Sequence, residues 1–324
     1  GTDWLKHVKQ CDVRPFAAAS IGQVHRASLK SGEVVAIKVQ FPGVKQSIDS
    51  DLATLKFIMK TSGMLPANFP LDHYIAQCGD LLKRETNYEL EAENINLFSG
   101  FLNGSKAIHV PKVYNKLSTD QTLTMSFLEG RELSNIMNFD QSVRDEISLH
   151  LIQLLFNEIF NFRMVQTDPN LANFLLSEGG KSLCILDFGA CSQVSEETNR
   201  LYKDLLTGTL SLNVNTIKRV LKENNFIPEE ISHAGTKFLD NIISVAIHEL
   251  SKDEIFDFQK SKVFQLILEE NFNLFFDLIP SSSLGSDFIF IQRKIFGLIL
   301  FFRATGTKLP LLKILKQQSK LLKC

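Results

Sequence analysis

The spacing of apolar and polar positions changes several times along the chain, and each change predicts an element. Val34-Val35-Ala36-Ile37-Lys38-Val39 is a β-branched run of strand type. The turn-forming Lys30-Ser31-Gly32-Glu33 precedes it, and Gln23 to Ser28 completes an antiparallel hairpin. That hairpin is entered through Ala17-Ala18-Ala19-Ser20-Ile21-Gly22. From Val44 to Gly63 and from Leu71 to Phe98 the apolar residues recur at helical spacing, with Pro66 and Pro70 between the two stretches. Val110 to Tyr114 and Leu123 to Leu128 read as strands split by the turn Ser118-Thr119-Asp120. Glu129-Gly130-Arg131 ends the second of these. The pattern therefore predicts one lobe over residues 1–129, with a helical insertion at about 46–80, and another over residues 130–324.

The second lobe reads as mostly helical. Asp140 is an N-cap candidate for a helix reaching about Arg163, with Ile147, Leu151, Leu154, Leu155, Ile159 and Phe162 on its inner face. Phe174-Leu175-Leu176 and Leu183 to Leu186 form a strand pair around Glu178-Gly179-Gly180-Lys181. Ser195 followed by two glutamates is a helix start, with acids at the positive end of the dipole. A helical bundle follows to the end of the chain.

Composition narrows the classes. Of 324 residues, 44% are hydrophobic and 22% charged, which excludes a disordered or fibrous chain. Lys+Arg at 35 against Asp+Glu at 36 argues against a generally basic nucleic-acid binder, so no nucleic-acid partner is expected. Five cysteines without a Cys-x-x-Cys pair predict neither a disulfide framework nor a zinc site, and suit a reducing compartment. The longest apolar run, Ile295 to Phe302, is too short to span a bilayer. The chain opens on Gly1, as a processed or trimmed chain would, so a targeting peptide or anchor upstream lies beyond view.

The chemistry concentrates at one constellation. Asp187-Phe188-Gly189 follows an apolar strand, and Asp168 stands 19 positions earlier with Asn173 five beyond it. This is the spacing of a protein-kinase-like catalytic lobe. Phosphoryl transfer needs Mg²⁺ held by oxygen ligands from two loops, and Asp187 and Asn173 supply a carboxylate and an amide oxygen. Asp168 falls where an attacking hydroxyl or water must be oriented. Asp-Phe-Gly alone equally suits a loop cap; the combined spacing favours the catalytic reading. Val35-Ala36-Ile37-Lys38 matches a strand carrying a phosphate-binding lysine. Lys38 facing the core would need an anionic partner, although strand alternation also allows a solvent-facing position. Glu85, Glu89, Glu91 and Glu93 are all candidate partners. Glu91 shares a stripe with Tyr88, Ile95 and Phe98, and Glu85 shares one with Leu81, Leu82, Tyr88 and Ala92, so periodicity alone does not choose. Where a kinase carries a glycine-rich loop, this chain has Ala17-Ala18-Ala19-Ser20-Ile21-Gly22-Gln23. Alanines restrict the backbone, which predicts a stiffer phosphate cradle.

Pro15 to His25, Lys38 to Val44, Ser47 to Leu52, Gln166-Thr167-Asp168-Pro169-Asn170 with Asn173-Phe174, and Asp187 to Ala190 resemble the UbiB family of atypical kinases, most closely its mitochondrial coenzyme Q members. The resemblance implies an α+β, protein-kinase-like two-lobed fold: a small antiparallel N-lobe sheet with a helical insertion, and a largely helical C-lobe. It implies ATP or ADP with Mg²⁺ bound between lobes, a hinge near Ser126, Phe127 and Leu128, and nucleotide contacts from Ala17, Ala18, Ala19, Ser20, Ile21, Gly22, Gln23 and Lys38. Residue by residue, Lys38 matches the phosphate lysine, Glu91 its helix partner, Asp168 the catalytic aspartate, and Asn173 and Asp187 the metal ligands. Glu85 matches the first residue of a Glu-x-Asp motif, whose third position here is Asn87. The family's Lys-x-Gly-Gln segment does not occur in this sequence.

The implied function is a Mg-ATPase or small-molecule kinase supporting ubiquinone biosynthesis at the mitochondrial inner membrane, partnered by coenzyme Q biosynthesis proteins. A lipid kinase and a nucleotide-gated scaffold are the alternatives. The residues themselves argue against a protein kinase: Gln166-Thr167 stands in place of His-Arg, and no Ala-Pro-Glu follows the short stretch before Ser195. The tail carries Arg303, Lys308, Lys313, Lys316, Lys320 and Lys323 and no acid, interleaved with leucines. Such a helix suits peripheral contact with an anionic membrane, and equally a last helix docked on a bundle.

Overall fold

The computed structural model describes residues 2–19, 21–62, 71–168, 170–228, 230–252, 254–267 and 285–322. Ser20, Pro66, Pro70, Pro169 and Lys323 lie outside the described residues. The chain forms two compact units: residues 1–133 with 170–191, and residues 134–169 with 192–324.

The first unit begins with an antiparallel sheet. Its strands are β1 (Val8–Cys11), β2 (Ala17–Ala19), β3 (Gly22–Leu29) and β4 (Val34–Gln40). Gly32 turns the hairpin between β3 and β4 in the left-handed region, at φ 102°. Helices α1 (Val44–Thr61), α2 (Leu71–Glu85) and α3 (Tyr88–Phe101) follow, then β5 (Ile108–His109), β6 (Thr122–Ser126) and β7 (Arg131–Glu132). The sheet order is β1-β3-β4-β6, with β2 on β3. The expected strand over 110–114 is absent except for a single bridge from Val113 to Met125, and the short strand β5 lies just before it. Pro111, which has no N–H to donate, interrupts it.

Register sorts the side chains. Val24, Lys38 and Leu123 are cross-strand partners on one face, and His25, Ile37 and Thr124 on the other. The alternation thus settles the side Lys38 takes: its side chain is 6% exposed, on the face that α3 covers. On the opposite face Val8, Ala27, Leu29 and Val35 pack together.

Further along come α4 (Gln141–Asn157), β8 (Met164–Gln166), β9 (Phe174–Leu176), β10 (Leu183–Ile185) and β11 (Cys191–Gln193). β9 and β10 pair antiparallel, while β10 lies parallel to β5 and β9 antiparallel to β7. These pairings place residues 170–191 in the first unit, whereas a boundary at 129/130 would leave them in the second.

In the second unit, Asp140 starts α4 with extended backbone but makes no side-chain cap bond, contrary to its sequence role. The helical backbone runs on to Phe162, as the apolar stripe suggests, but its last turn changes hydrogen-bond pattern. A π-type turn, Glu158–Phe162, is closed by Arg163 in the left-handed region at φ 56°. Ile147, Leu151, Leu154 and Ile159 of the expected inner face are buried, and Leu155 and Phe162 are half-buried. Then follow α5 (Glu196–Leu210), α6 (Val214–Glu223), α7 (His233–Lys252), β12 (Phe256–Asp257), α8 (Ser286–Thr305), β13 (Lys308–Leu309) and α9 (Leu311–Leu321). Ser195 caps α5 as expected, accepting from the Thr198 amide. Ile159, Val165, Tyr202, Phe226, Phe288 and Ile291 make the central core. The two-residue pair β12–β13 is too short to leave a periodic signal. In the basic tail Ile314 is buried and Leu311, Leu312, Leu315 and Leu322 are half-buried, while Lys313, Lys316, Lys320 and Leu321 are exposed.

Two glycines give opposite expectations. At Gly22 a Cβ would run into the Val39 carbonyl, whereas Gly100 on α3 has open space around it. Gly22→Ala should destabilise the fold by about 1–3 kcal/mol, and Gly100→Ala should stabilise it by about 0.5–1 kcal/mol. Urea unfolding of both variants beside the parent checks the pair of signs.

Candidate active site

The first unit places a buried cation between two carboxylates. Lys38 Nζ donates to Glu91 Oε1 at 2.9 Å, to Glu91 Oε2 at 3.0 Å and to Asp187 Oδ2 at 2.9 Å. Both carboxylates are therefore within hydrogen-bond distance of one ammonium, and the Tyr88 ring lies 5.1 Å from the same nitrogen. Burial alone would depress the Lys38 pKa, but Glu91 and Asp187 outweigh it and hold the ammonium well above its ordinary range. Burial also pushes the Glu91 carboxyl up to about 7, against the pull of Lys38 and with Asp187 adding to the rise. Of the four glutamates that periodicity left open, Glu91 is the one on the lysine.

Helix α3 does more than carry Glu91. Asn94, one turn on, donates to the Phe188 carbonyl at 2.9 Å. Phe98, one turn further, packs its ring 4.8 Å from that of Phe188, which is fully buried. Asp187 Oδ1 accepts from the Gly189 amide at 2.9 Å. One helix face thus fixes the lysine and the Asp-Phe-Gly turn together. Asn94 was not anticipated. The signal was an amide beside the otherwise apolar stripe of Tyr88, Ile95 and Phe98.

Asn87 has a defined job. It is the N-cap of α3, accepting from the amides of Glu89 at 3.2 Å and Leu90 at 3.1 Å. A neutral amide thus caps the helix at the position where the Glu-x-Asp motif has a charge. Glu85 is the last residue of α2, half-buried. Gln40, at the end of β4, ties this junction down by donating to the carbonyls of Thr86 and Asp120.

Asn173 closes a short helical turn, Leu171–Asn173, and its carbonyl accepts from Leu186, the residue before Asp187, at 2.9 Å. The two oxygen ligands proposed for a metal thus belong to backbone segments that are directly hydrogen-bonded. One half-buried carboxylate and one amide suit Mg²⁺, which keeps several waters and completes its shell with substrate phosphates. Among the described residues no group of three His, Cys, Asp or Glu could hold a metal by itself.

Ala17, Ala18 and Ala19 pair with Val24, Gln23 and Gly22, so the alanine-rich segment is a strand edge. Ile21 is buried, and its carbonyl accepts from Phe41. Ser126 ends β6 and accepts from the Lys112 amide. Phe127 meets Phe16 edge-on at 5.4 Å, with the Arg26 guanidinium 5.1 Å from its ring, and Leu128 is half-buried beside it in sequence. Asp168 belongs to the second unit, on the loop after β8, where its carbonyl accepts from the Gln166 side chain at 3.1 Å.

A buried strand lysine paired with a helix glutamate, beside an Asp-Phe-Gly turn held by the same helix face, is the arrangement of a kinase-like protein, and the chain belongs to the ABC1 atypical kinase-like family, whose model matches residues 1–221. It is 41% identical over 207 residues to the mitochondrial atypical kinase COQ8 of Saccharomyces cerevisiae, covering 64% of this chain and 41% of that one. It is 34% identical over 258 residues to the Schizosaccharomyces pombe COQ8, covering 79% of this chain and 42% of that one. The chain therefore spans less than half the length of these relatives. Among solved structures, Rv3197 of Mycobacterium tuberculosis, described in complex with erythromycin, shares the fold at a TM-score of 0.75 and 21% identity, over 99% of this chain and 79% of that one.

The raised Glu91 carboxyl has a pH consequence. Between its ordinary 4.5 and about 7 the folded chain holds a proton that the unfolded chain has released. This contribution stabilises the fold at low pH and is lost as pH rises through about 7. The unfolding temperature of the parent, measured against Glu91→Gln, should fall from about pH 5 to about pH 8. A pH-independent difference would mean that Glu91 ionises in the ordinary carboxylate range.

Proposed function

We propose that this chain is an atypical kinase-like Mg-ATPase whose turnover supports ubiquinone biosynthesis at the mitochondrial inner membrane. The observation that carries this reading is the buried Lys38 ammonium held by Glu91 and Asp187. A lysine so completely desolvated is costly unless anions surround it, and a phosphate is an anion that could exchange with Asp187. On this reading Lys38 takes a nucleotide phosphate, while Asp187 and Asn173 turn their oxygens to Mg²⁺. Held there by Asp187 and Asn173, Mg²⁺ would supply neutralisation of charge on the phosphates. Asp168 orients the attacking hydroxyl or water and accepts its proton. The β2 edge and the Ile21–Gln23 backbone cradle the phosphates, and Ser126 to Leu128 meet the base.

The acceptor is water or a small lipid-like hydroxyl. Only a short stretch, with β11 in it, separates Gly189 from the Ser195 cap, which leaves little chain for a peptide platform. Membrane contact would use the outward lysines of α9, since its apolar side faces inward; no described helix is long and apolar enough to cross a bilayer. One observation favours a second reading, a nucleotide-gated scaffold: Lys38 already holds two carboxylates, so a phosphate that took the place of Asp187 would change contacts within the unit.

Phosphate release from Mg²⁺–ATP, with and without anionic liposomes and a phenolic head-group analogue, tests the proposal. Turnover should rise with liposomes or phenol and fall at least about 100-fold in Asp187→Asn. Tight nucleotide binding without release would favour the scaffold. So would a cellular function that survives Asp168→Ala and is lost in Lys38→Ala.

A further inference from the structure

The second unit buries another lysine, whose partners are Glu158 of the π-type turn and the backbone just before Asp168. Lys294, on α8, donates to Glu158 Oε1 at 2.8 Å, Glu158 Oε2 at 2.6 Å and the Gln166 carbonyl at 2.8 Å. Glu158 Oε1 also accepts from the Gln166 amide at 3.1 Å. The side chains of the pair are 5% and 0% exposed. The neighbouring Arg293 donates through Nη2 to the Thr167 carbonyl at 2.8 Å.

Burying an ion pair costs more than an apolar pair of the same volume, so stability alone does not account for it. What the ion pair adds is direction. It holds both backbone groups of Gln166, and Arg293 holds the next carbonyl. The last residues before Asp168 therefore have their peptide groups tied to side chains of α8 and of the π-type turn. That turn adds one residue to the helical repeat at Glu158, and such insertions recur at functional sites.

We infer that Arg293, Lys294 and Glu158 are positioning residues for Asp168: a clamp from α8 that sets the loop Gln166–Asp168 where a kinase would use the His-Arg that this chain lacks. The inference rests on the reading of Asp168 as the residue that orients the acceptor. None of the three needs to touch nucleotide or acceptor. Their effect is on the placement of a carboxylate, where an error of an ångström costs rate rather than affinity.

Arg293 is exposed, so Arg293→Ala should fold with an unchanged unfolding temperature. Its kcat for Mg²⁺–ATP hydrolysis should fall about tenfold or more with KM nearly unchanged. Arg293→Lys, which keeps a donor, should recover part of the loss. The double variant Glu158→Leu with Lys294→Met keeps an apolar fill and should remain folded while showing a deeper kcat defect. Amide hydrogen exchange at Gln166 to Asp168 should accelerate in Arg293→Ala and the double variant. Unchanged kcat together with unchanged exchange in both variants would overturn the clamp. A parent chain without turnover would overturn the ATPase reading instead, and the exchange measurement would then decide the clamp alone.

Discussion

Everything in the first unit is arranged around the cost of keeping an ammonium out of water. Lys38 sits on β4 between β3 and β6, and register turns it to the face that α3 covers. An unpaired charge there would be prohibitive. Glu91 must therefore be present, and α3 must lie so that one of its turns meets the lysine. Once α3 is fixed, Asn94 and Phe98 are fixed with it, and they hold Phe188. The helix start is fixed too: Asn87 caps it, and the Tyr88 amide donates to the Asp120 carbonyl. Removing Glu91 would thus disturb the sheet, the helix and the Asp-Phe-Gly turn at once.

Much of this was legible in the sequence, for local reasons. The β3–β4 hairpin, the β9–β10 pair and the Ser195 cap each follow from period, turn residues or capping chemistry within a few positions. The Lys38 strand and Asp-Phe-Gly were found by spacing. What stayed hidden depends on residues far apart in the chain. Glu91 could not be told from Glu85 by periodicity, because both sit on stripes with apolar neighbours; 53 positions separate Glu91 from the lysine that selects it. The grouping of residues 170–191 with the first unit required strand pairs with β5 and β7, which are two residues long. The end of the helix near Arg163 follows from its apolar stripe, whereas the change to a π-type turn at Glu158 leaves no signal in that stripe, because the turn keeps residues inward.

Among the described residues, each unit buries one lysine in contact with a helical glutamate, and each pair is anchored to a segment that carries a candidate site residue. Lys38 and Glu91 hold Asp187, while Lys294 and Glu158 hold the backbone before Asp168. The pairs differ in what completes them. The first includes a carboxylate that exchange with another anion could release. The second is closed by peptide groups, which have no such alternative. One is suited to rearrange, the other to stay still.

The charge count of the first cluster has a consequence for order of assembly. One ammonium faces two carboxylates, so the cluster carries no net positive charge. It offers little long-range attraction to a polyanion arriving alone. On the proposed reading, a divalent cation would reverse that balance, and a polyanion would in turn strengthen the hold on the cation. The two ligands would then be thermodynamically linked, each raising the affinity for the other by the same factor, so that the apparent dissociation constant of either would depend on the concentration of the other.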